Sequence, residues 1–452
     1  MEVLFHKEFS PYIQTLLDEL GRLIGPVHLI GGAVRNGLRR KSPPPELGIL
    51  VPRPLPECQK KLTEQGYEDV APGNKHNSLL LPLKRKEHPK TVEISTFRHR
   101  PGHTPTVEED LFHRDLTINA LAFRWPEGPL IDPFNGSDDL LARRIRLVNG
   151  AETLKADPLR ALRFFRFAFQ LSGVPDPEHL SLCENICLDA APQRRVRAEL
   201  DRIFSLPLRD GYSNHMMYRL FQSKMGRKML PELEALEQIH DEETGQSEWK
   251  HTLEAMMSLS IPMEDEEIPL FDLRWATLLQ DISQRKKGER LVESEGSIEA
   301  AILDRFHFTR RRKRRIMILL QNLDQGFTPT ERVLKRLIDS HIPVEGLYRL
   351  QKSLFETLPY HSSDERQELE KDFHRVMKRC SAMRVNINRL SPKQLAISGG
   401  EIQDLVGITP GPWLGKVQRI LVDWVTEDRS RNRPRLLEKR VQQWIQNEQD
   451  EF

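Results

Sequence analysis

Cysteine is scarce in this chain. Cys58, Cys183, Cys187 and Cys380 are scattered over 452 positions, too few and too far apart for a disulfide framework. Long apolar runs are missing as well. No stretch approaches the ~18 uninterrupted apolar residues that cross a bilayer, which excludes a helical membrane protein and a membrane partner. A strong charge of either sign is also lacking, since 68 Lys and Arg offset 66 Asp and Glu to leave +2. Near-neutrality does not exclude nucleic acid, because binding follows where positive charge clusters. The first residues, MEVLFHKEFS, lack the basic-then-apolar plan of a secretory leader, so a cytoplasmic protein is expected.

What is present divides the chain in two. Up to about residue 150, short apolar runs alternate with turn signals. VHLIGG at Val27 to Gly32 reads as a strand entering a glycine turn, and LGILV at 47–51, SLLLPL after Asn77 and TVEISTF at 91–97 read as further strands. Pro43, Pro44 and Pro45 mark a loop before the second of these. Beyond residue 150 the apolar positions recur every three or four residues, beginning with DPLRALRFFRFAFQL from Asp157. Helix then follows helix, with breaks near Gly226, Gly245, Gly326 and Pro343. The expected fold is an α/β head followed by a long all-α body.

Two charge runs interrupt that body. Residues 262–268 (PMEDEEI) are acidic, and Arg310, Arg311, Arg312, Lys313, Arg314 and Arg315 are all basic. Either reads most simply as a solvated helix face. The basic run also fits a phosphate-contacting stripe for RNA, because clustered Lys and Arg displace counterions there.

Five segments stand in order: GGAVRNGL at 31–38, VEISTFR at 92–98, HRDLTINAL at 113–121, DPFNGSDDL at 132–140 and DPLRALRFFR at 157–166. The series resembles the class II tRNA nucleotidyltransferase (CCA-adding enzyme) and bacterial poly(A) polymerase family, which adds C, C and A, or A alone, to RNA 3′ ends. SGGEIQDLVGITPGPWLGKVQRIL at 398–421 resembles that family's C-terminal tail, and Trp249 to Gln284 resembles an HD-type phosphohydrolase domain that some members append. The resemblance implies a nucleotidyltransferase head of polymerase-β-like fold built as a mixed sheet with helices (1–150), a helical nucleotide- and RNA-binding neck (151–235), a degenerate HD-like domain (236–345) and a helical RNA-binding tail (346–452). The partners it implies are ATP or CTP, a tRNA or other RNA 3′ end, and an active paralogue.

Nucleotidyl transfer in this family uses two Mg²⁺ ions, ~3.5–4 Å apart in two-metal sites generally. Mg²⁺ takes hard oxygen ligands, so closely placed carboxylates are required. The family supplies them as an Asp-x-Asp pair on one strand plus an acid on its neighbour; the one-residue gap puts both on the same strand face. Here the pair is missing. Read without gaps its positions hold Pro45 and Leu47; with one residue inserted they hold Glu46 and Gly48. The third acid remains as Glu93. Glu46 and Glu93 are thus the residual catalytic and metal candidates, with Mg²⁺ the cofactor if the chain is active and none otherwise. Asn36 also replaces the aspartate usual in the glycine turn.

The nucleotide pocket is better kept. Gly31 and Gly32 let backbone N–H groups approach a triphosphate, and Arg35 is placed to pair with it. By resemblance, Arg114, Asp115 and Asn119 contact triphosphate and ribose, while His113 replaces a frequent arginine. Asp157 and Arg160, three apart and expected on one helix face, stand where the family reads the base, with Ala156 in place of the preceding Glu. Arg163 and Arg166 extend that face toward phosphates. In the appended domain His251 matches the first metal ligand, but the His-Asp pair reads Gln280-Asp281, and His307 is a surface or packed histidine. No metal hydrolase is expected there.

Three readings follow. The favoured one is a family member that binds nucleotide and RNA 3′ ends but is catalytically impaired. The second is an active CCA-, CC- or A-adding enzyme with an altered metal site. The third is a non-catalytic RNA-binding or assembly scaffold.

Overall fold

The computed structural model describes residues 9–41, 44–67, 69–73, 78–83, 89–97, 106–208, 210–240, 245–259, 268–282, 297–323, 333–334, 337, 344–358, 362–386, 392–407, 411–427 and 429–447. Most of the acidic run, the last residues of the HD-like segment, Gly326, Pro343 and Arg98 therefore lie outside the described residues. The chain forms two compact units, Met1–Gln321 with Thr357–Pro359, and Asn322–Glu356 with Tyr360–Phe452. No helix among the described residues is long and apolar enough to cross a membrane.

The first unit begins with helix α1 (Pro11–Ile24) and a seven-stranded mixed sheet. Its strands are β1 (His28–Ile30), β2 (Glu46–Val51), β3 (Ala71–Pro72), β4 (Ser78–Pro82), β5 (Thr91–Thr96), β6 (Ala122–Arg124) and β7 (Leu130–Ile131), in the order β3-β4-β5-β2-β1-β6-β7. Among the described residues, the one parallel pairing in this sheet is β2 with β5, with Leu47 beside Val92 and Gly48 beside Glu93. Helix α2 (Gly32–Leu38) leaves β1 through the glycine turn, and α3 (Leu55–Glu64) follows β2.

Alternation along β2 sorts its two faces. Leu47, Ile49 and Val51 join Val92 and Ile94 in one core beneath α1 and α3. The opposite face carries Gly48 and Glu93, then Leu50, which packs with Ile30, Phe97, Val107 and Leu111 in a second, smaller core. Leu47 is fully buried, so the register in which it replaced a metal ligand is excluded. Glu46 and Gly48 are the residues that share a face with Glu93.

Helices take over beyond the head. α4 (Val107–Phe112) precedes a short 3-10 turn at Thr117–Asn119, and α5 (Gly136–Leu141) and α6 (Gly150–Ala156) lead to α7 (Arg160–Leu171). α8 (Pro177–Asn185), α9 (Gln193–Phe204), α10 (Gly211–Gln222), α11 (Lys224–Met229), α12 (Glu248–Ser258), α13 (Leu270–Leu279), α14 (Ile298–Arg305) and α15 (Arg310–Gln321) complete the unit. Gly226 lies inside α11, three residues past the break at Ser223 that separates α10 from α11.

The second unit is helical in its described residues, with helices at Val344–Glu356, Ser363–Asn386, Gly399–Val406, Pro412–Glu427 and Pro434–Asn447. Ser398 and Glu401 cap the third of these reciprocally, which is why SGGE opens it. Ile402, Val417, Leu421, Val425, Leu437, Val441 and Trp444 form its core.

Candidate functional site

The glycine turn sits where β1 ends. Gly31 has φ +58°, a backbone conformation that L side chains avoid, and its N–H donates to the Leu121 carbonyl at 3.2 Å. A Cβ on Gly31 would stand 3.5 Å from Arg114 Nη1, an ordinary contact, so the backbone conformation rather than space calls for glycine while the Arg114 guanidinium lies beside the turn. Arg114 is anchored from behind by Asp110 at 3.1 Å.

The segment 113–121 is a turn that holds the short 3-10 helix Thr117–Asn119. Asp115 accepts from the Leu116 N–H at 2.8 Å and from the Asn119 amide at 3.1 Å. The DPFNGSDDL segment braces it. Asn135 adopts the left-handed conformation, and a Cβ on Gly136 would fall 2.1 Å from the Thr117 carbonyl oxygen, so only glycine fits that approach. Asp139 accepts from Thr117 Oγ1 at 2.6 Å and pairs with Arg146 at 2.7 Å.

A continuous polar chain runs from this turn into α7 and α9. Arg35 donates to Asn119 Oδ1; Asn119 holds Asp115; Asp115 pairs with Arg163 at 3.3 Å. Arg163 and Arg166 both reach Glu199 on α9, at 3.4 and 2.9 Å, and Arg202 pairs with the same carboxylate. The Phe167 ring lies under both Arg35 (4.8 Å) and Arg166 (4.3 Å), a cation–π arrangement that fixes their planes.

Electrostatics follow from burial. Burial alone pushes the Asp115 carboxyl up, but Arg163, the Asn119 hydrogen bond, the Leu116 N–H and Arg160 outweigh it and hold it at about 2. Burial and then the charge of Arg166 bring Arg35 down to about 10, still a cation at neutral pH. Burial lowers Arg166, whereas Asp115 and Glu199 overcome burial and raise Arg163.

Two expectations need correction here. Asp157 and Arg160 do not share a helix face. Asp157 ends α6 with extended backbone (φ −157°, ψ 102°), and α7 begins only at Arg160. The cause is Pro158, whose ring drives the preceding residue out of the helical region. Asp157 instead pairs with Arg195 at 2.8 Å and accepts from the Leu159 N–H. Arg160 turns back and donates to the carbonyls of His113 (2.7 Å), Thr153 (3.2 Å) and Arg114 (3.4 Å). It thereby ties α7 to the turn that presents Asp115.

The basic run is not one uniform face either. Arg310, Arg311 and Arg314 are exposed. Arg312 points inward to Asp201 (2.7 Å) and Asp272 (2.7 Å), Arg315 pairs with the buried Asp272 at 2.7 Å, and Lys313 meets Asp304 at 2.6 Å. His307 is exposed, and its carbonyl accepts from Arg197.

Glu199 is the residue that sequence reasoning missed. Its signal was present in QRRVRAELDRIF: a charged residue on the apolar stripe of Val196, Leu200 and Ile203. An acid buried to 1% exposure in such a stripe needs cationic partners, and three arginines supply them.

On the sheet, the residues present do not fit a pair of Mg²⁺ ions. Glu46 is exposed at the start of β2, Gly48 offers no ligand, and Glu93 is half-buried on β5. Among the described residues, the one group that brings three metal-capable side chains together lies elsewhere, at Glu248, His251 and Asp281.

Residues 27–146 match the poly(A) polymerase head domain. Over that stretch the chain is similar to the tRNA nucleotidyltransferase and poly(A) polymerase family. It is 29% identical over 268 residues to the multifunctional CCA protein of Teredinibacter turnerae, covering 57% of this chain and 62% of that protein. The corresponding protein of Halorhodospira halophila is 31% identical over 288 residues, covering 60% and 66%. The chain thus spans less than two thirds of the length of these relatives. In overall fold it is similar to the Thermotoga maritima CCA-adding enzyme in complex with tRNA (TM-score 0.55, 20% identity, 98% of both chains). It is also similar to the Bacillus stearothermophilus CCA-adding enzyme in complex with CTP (TM-score 0.53, 17% identity, 98% of this chain and 100% of that one).

Proposed function

We propose that this family member binds a nucleoside triphosphate, ATP or CTP, and an RNA 3′ end, and that its nucleotidyl transfer is impaired. One observation carries the second half: Gly48 stands beside Glu93 in the β2–β5 ladder, where a second strand carboxylate is required. Two carboxylates cannot bridge and position two divalent ions as three do. Metal ions supply several kcal/mol of charge stabilisation in such reactions, and each ~1.4 kcal/mol is tenfold in rate.

Binding is supported by the arginines around the glycine turn. Arg35, Arg114, Arg160, Arg163, Arg166, Arg195 and Arg202 are seven cations set against the four carboxylates Asp110, Asp115, Asp157 and Glu199, an excess of three. That surplus, partly shielded from water, favours a polyanion such as a triphosphate. The solved relatives in complex with CTP and with tRNA agree in fold with such a role.

The deciding experiment is extension of a tRNA lacking its terminal CCA by the purified chain with Mg²⁺, CTP and ATP. A rate at least a hundredfold below an active family enzyme, about 2.7 kcal/mol in barrier, is expected. A rate within about tenfold of that enzyme overturns the reading. It would favour an active enzyme that uses Glu46 and Glu93, which do lie on one face of the sheet, on the neighbouring strands β2 and β5. Calorimetric titration with ATP separates both from a scaffold, which would show no nucleotide affinity.

A further inference from the structure

A second chemistry-bearing cluster lies well away in sequence from the glycine turn. Glu248 and His251 stand three residues apart in the first turn of α12 and share a face; His251 Nδ1 is 3.7 Å from Glu248 Oε2. Asp281 reaches them from just past the end of α13. One ligand atom from each of the three lies within 4.8 Å of the other two. Ligands around a single ion sit at about 2.0–2.2 Å from it, so small side-chain adjustments bring all three onto one centre.

The surroundings favour a cation rather than a structural ion pair. Among the described residues no lysine or arginine stands within ion-pair distance of Asp281. Its Oδ2 accepts instead from two neutral donors, Gln280 Nε2 at 2.8 Å and Thr252 Oγ1 at 3.2 Å. Such donors orient a carboxylate without neutralising it, the role that outer-shell partners play around bound metals. Two carboxylates and one imidazole, all partly exposed, therefore converge with no lysine or arginine among the described residues paired to Asp281. The cluster is also reachable, with the His251 side chain 13% and that of Glu248 35% exposed.

We propose that Glu248, His251 and Asp281 hold one divalent transition-metal ion. One nitrogen and two oxygen donors suit Mn²⁺, Fe²⁺ or Zn²⁺ and are too few for Ca²⁺, which takes six to eight oxygens. The ligand set differs from the His and His-Asp arrangement in which Gln280 appeared as a loss. Here Glu248 supplies the third ligand, and Gln280 positions Asp281 instead of binding metal. Three protein ligands leave the remaining positions to water.

The test is calorimetric titration of the chelator-treated full chain with MnCl₂ and, separately, ZnCl₂. About one equivalent is expected to bind, with the same affinity in Glu93→Gln, and at least tenfold more weakly in both His251→Ala and Glu248→Gln. Glu248 is partly exposed, so its variant keeps the test usable if the histidine variant fails to fold. Absence of binding by either ion overturns the proposal, as does binding that both cluster variants leave unchanged. Loss in Glu93→Gln alone would place the ion on the sheet and overturn it too. The result is independent of whether the chain transfers nucleotides.

Discussion

Gly48 of β2 stands directly beside Glu93 of β5, the two strands running parallel. A Cβ built on Gly48 meets Ile30 Cγ1 at 3.3 Å, tighter than ordinary contact by a few tenths of an ångström. A side chain at position 48 therefore needs Ile30 to give by a few tenths of an ångström.

Restoring the acids should recover chemistry at a modest cost. The double variant Glu46→Asp plus Gly48→Asp is expected to raise tRNA extension at least a hundredfold, equivalent to about 2.7 kcal/mol of barrier. Overpacking against Ile30 should lower stability by about 1–3 kcal/mol, and Ile30→Ala in the same chain should relieve the crowding. No gain in extension would place the defect outside the strand pair.

Asp115 predicts an acid-dependent stability difference. Its folded-state carboxyl, held at about 2, lies below the unfolded value of 3.8, so its contribution is complete above the unfolded value and is lost as pH falls from about 4 to 2. The magnitude is about 2 kcal/mol. Urea denaturation of Asp115→Asn should show that deficit at pH 6 and convergence with the parent chain near pH 2. A deficit independent of pH would mean that the carboxylate's charge plays no part.

Arg160 and Asp157 should separate support from binding. Arg160→Ala removes donors to three carbonyls, those of His113 and Arg114 in the turn that presents Asp115 and that of Thr153 on α6. A stability loss of about 1.5–3 kcal/mol is expected, because these hydrogen bonds come from a charged group, together with weaker ATP binding. Asp157→Ala breaks a part-exposed pair with Arg195 and the bond from the Leu159 N–H, and should cost about 0.5–2 kcal/mol. Thermal melts and ATP titrations of both variants check this. Unchanged affinity in both would support the empty-pocket scaffold.

The basic run divides by direction. Neutralising the exposed Arg310, Arg311 and Arg314 to Gln should leave melting unchanged and flatten the log K against log salt slope for tRNA by about two to three. Arg312→Ala should instead cost about 3–5 kcal/mol, because Asp272, fully buried, loses a partner. An unchanged salt slope in the triple variant would remove this face from RNA contact.

The strands of the head were legible because each is short, apolar and bounded by turn residues; β1, β2, β4 and β5 fall where those runs lie. The polar chain was legible only in part. Arg35, Asp115, Asn119, Arg163 and Arg166 stood out by motif, yet their partner Glu199 comes from another helix, and one-dimensional spacing carries no signal of which distant acid meets which arginine.

Local rules also settled one point that spacing had misjudged. Pro158 forbids a helical Asp157, and that constraint was readable in the dipeptide itself. The amino-acid order alone determined the α/β head, the helical remainder and the absence of an Asp-x-Asp pair, since these depend on residue identity and short-range periodicity. The strand register was left open between Leu47 and Gly48, and packing chose: a one-residue slip would carry Leu47, Ile49 and Val51 out of the core, and burying them is worth far more than any single loop adjustment. The inward turn of Arg312 and the meeting of Glu248, His251 and Asp281 were likewise decided in three dimensions, where helices far apart in sequence bring their faces together.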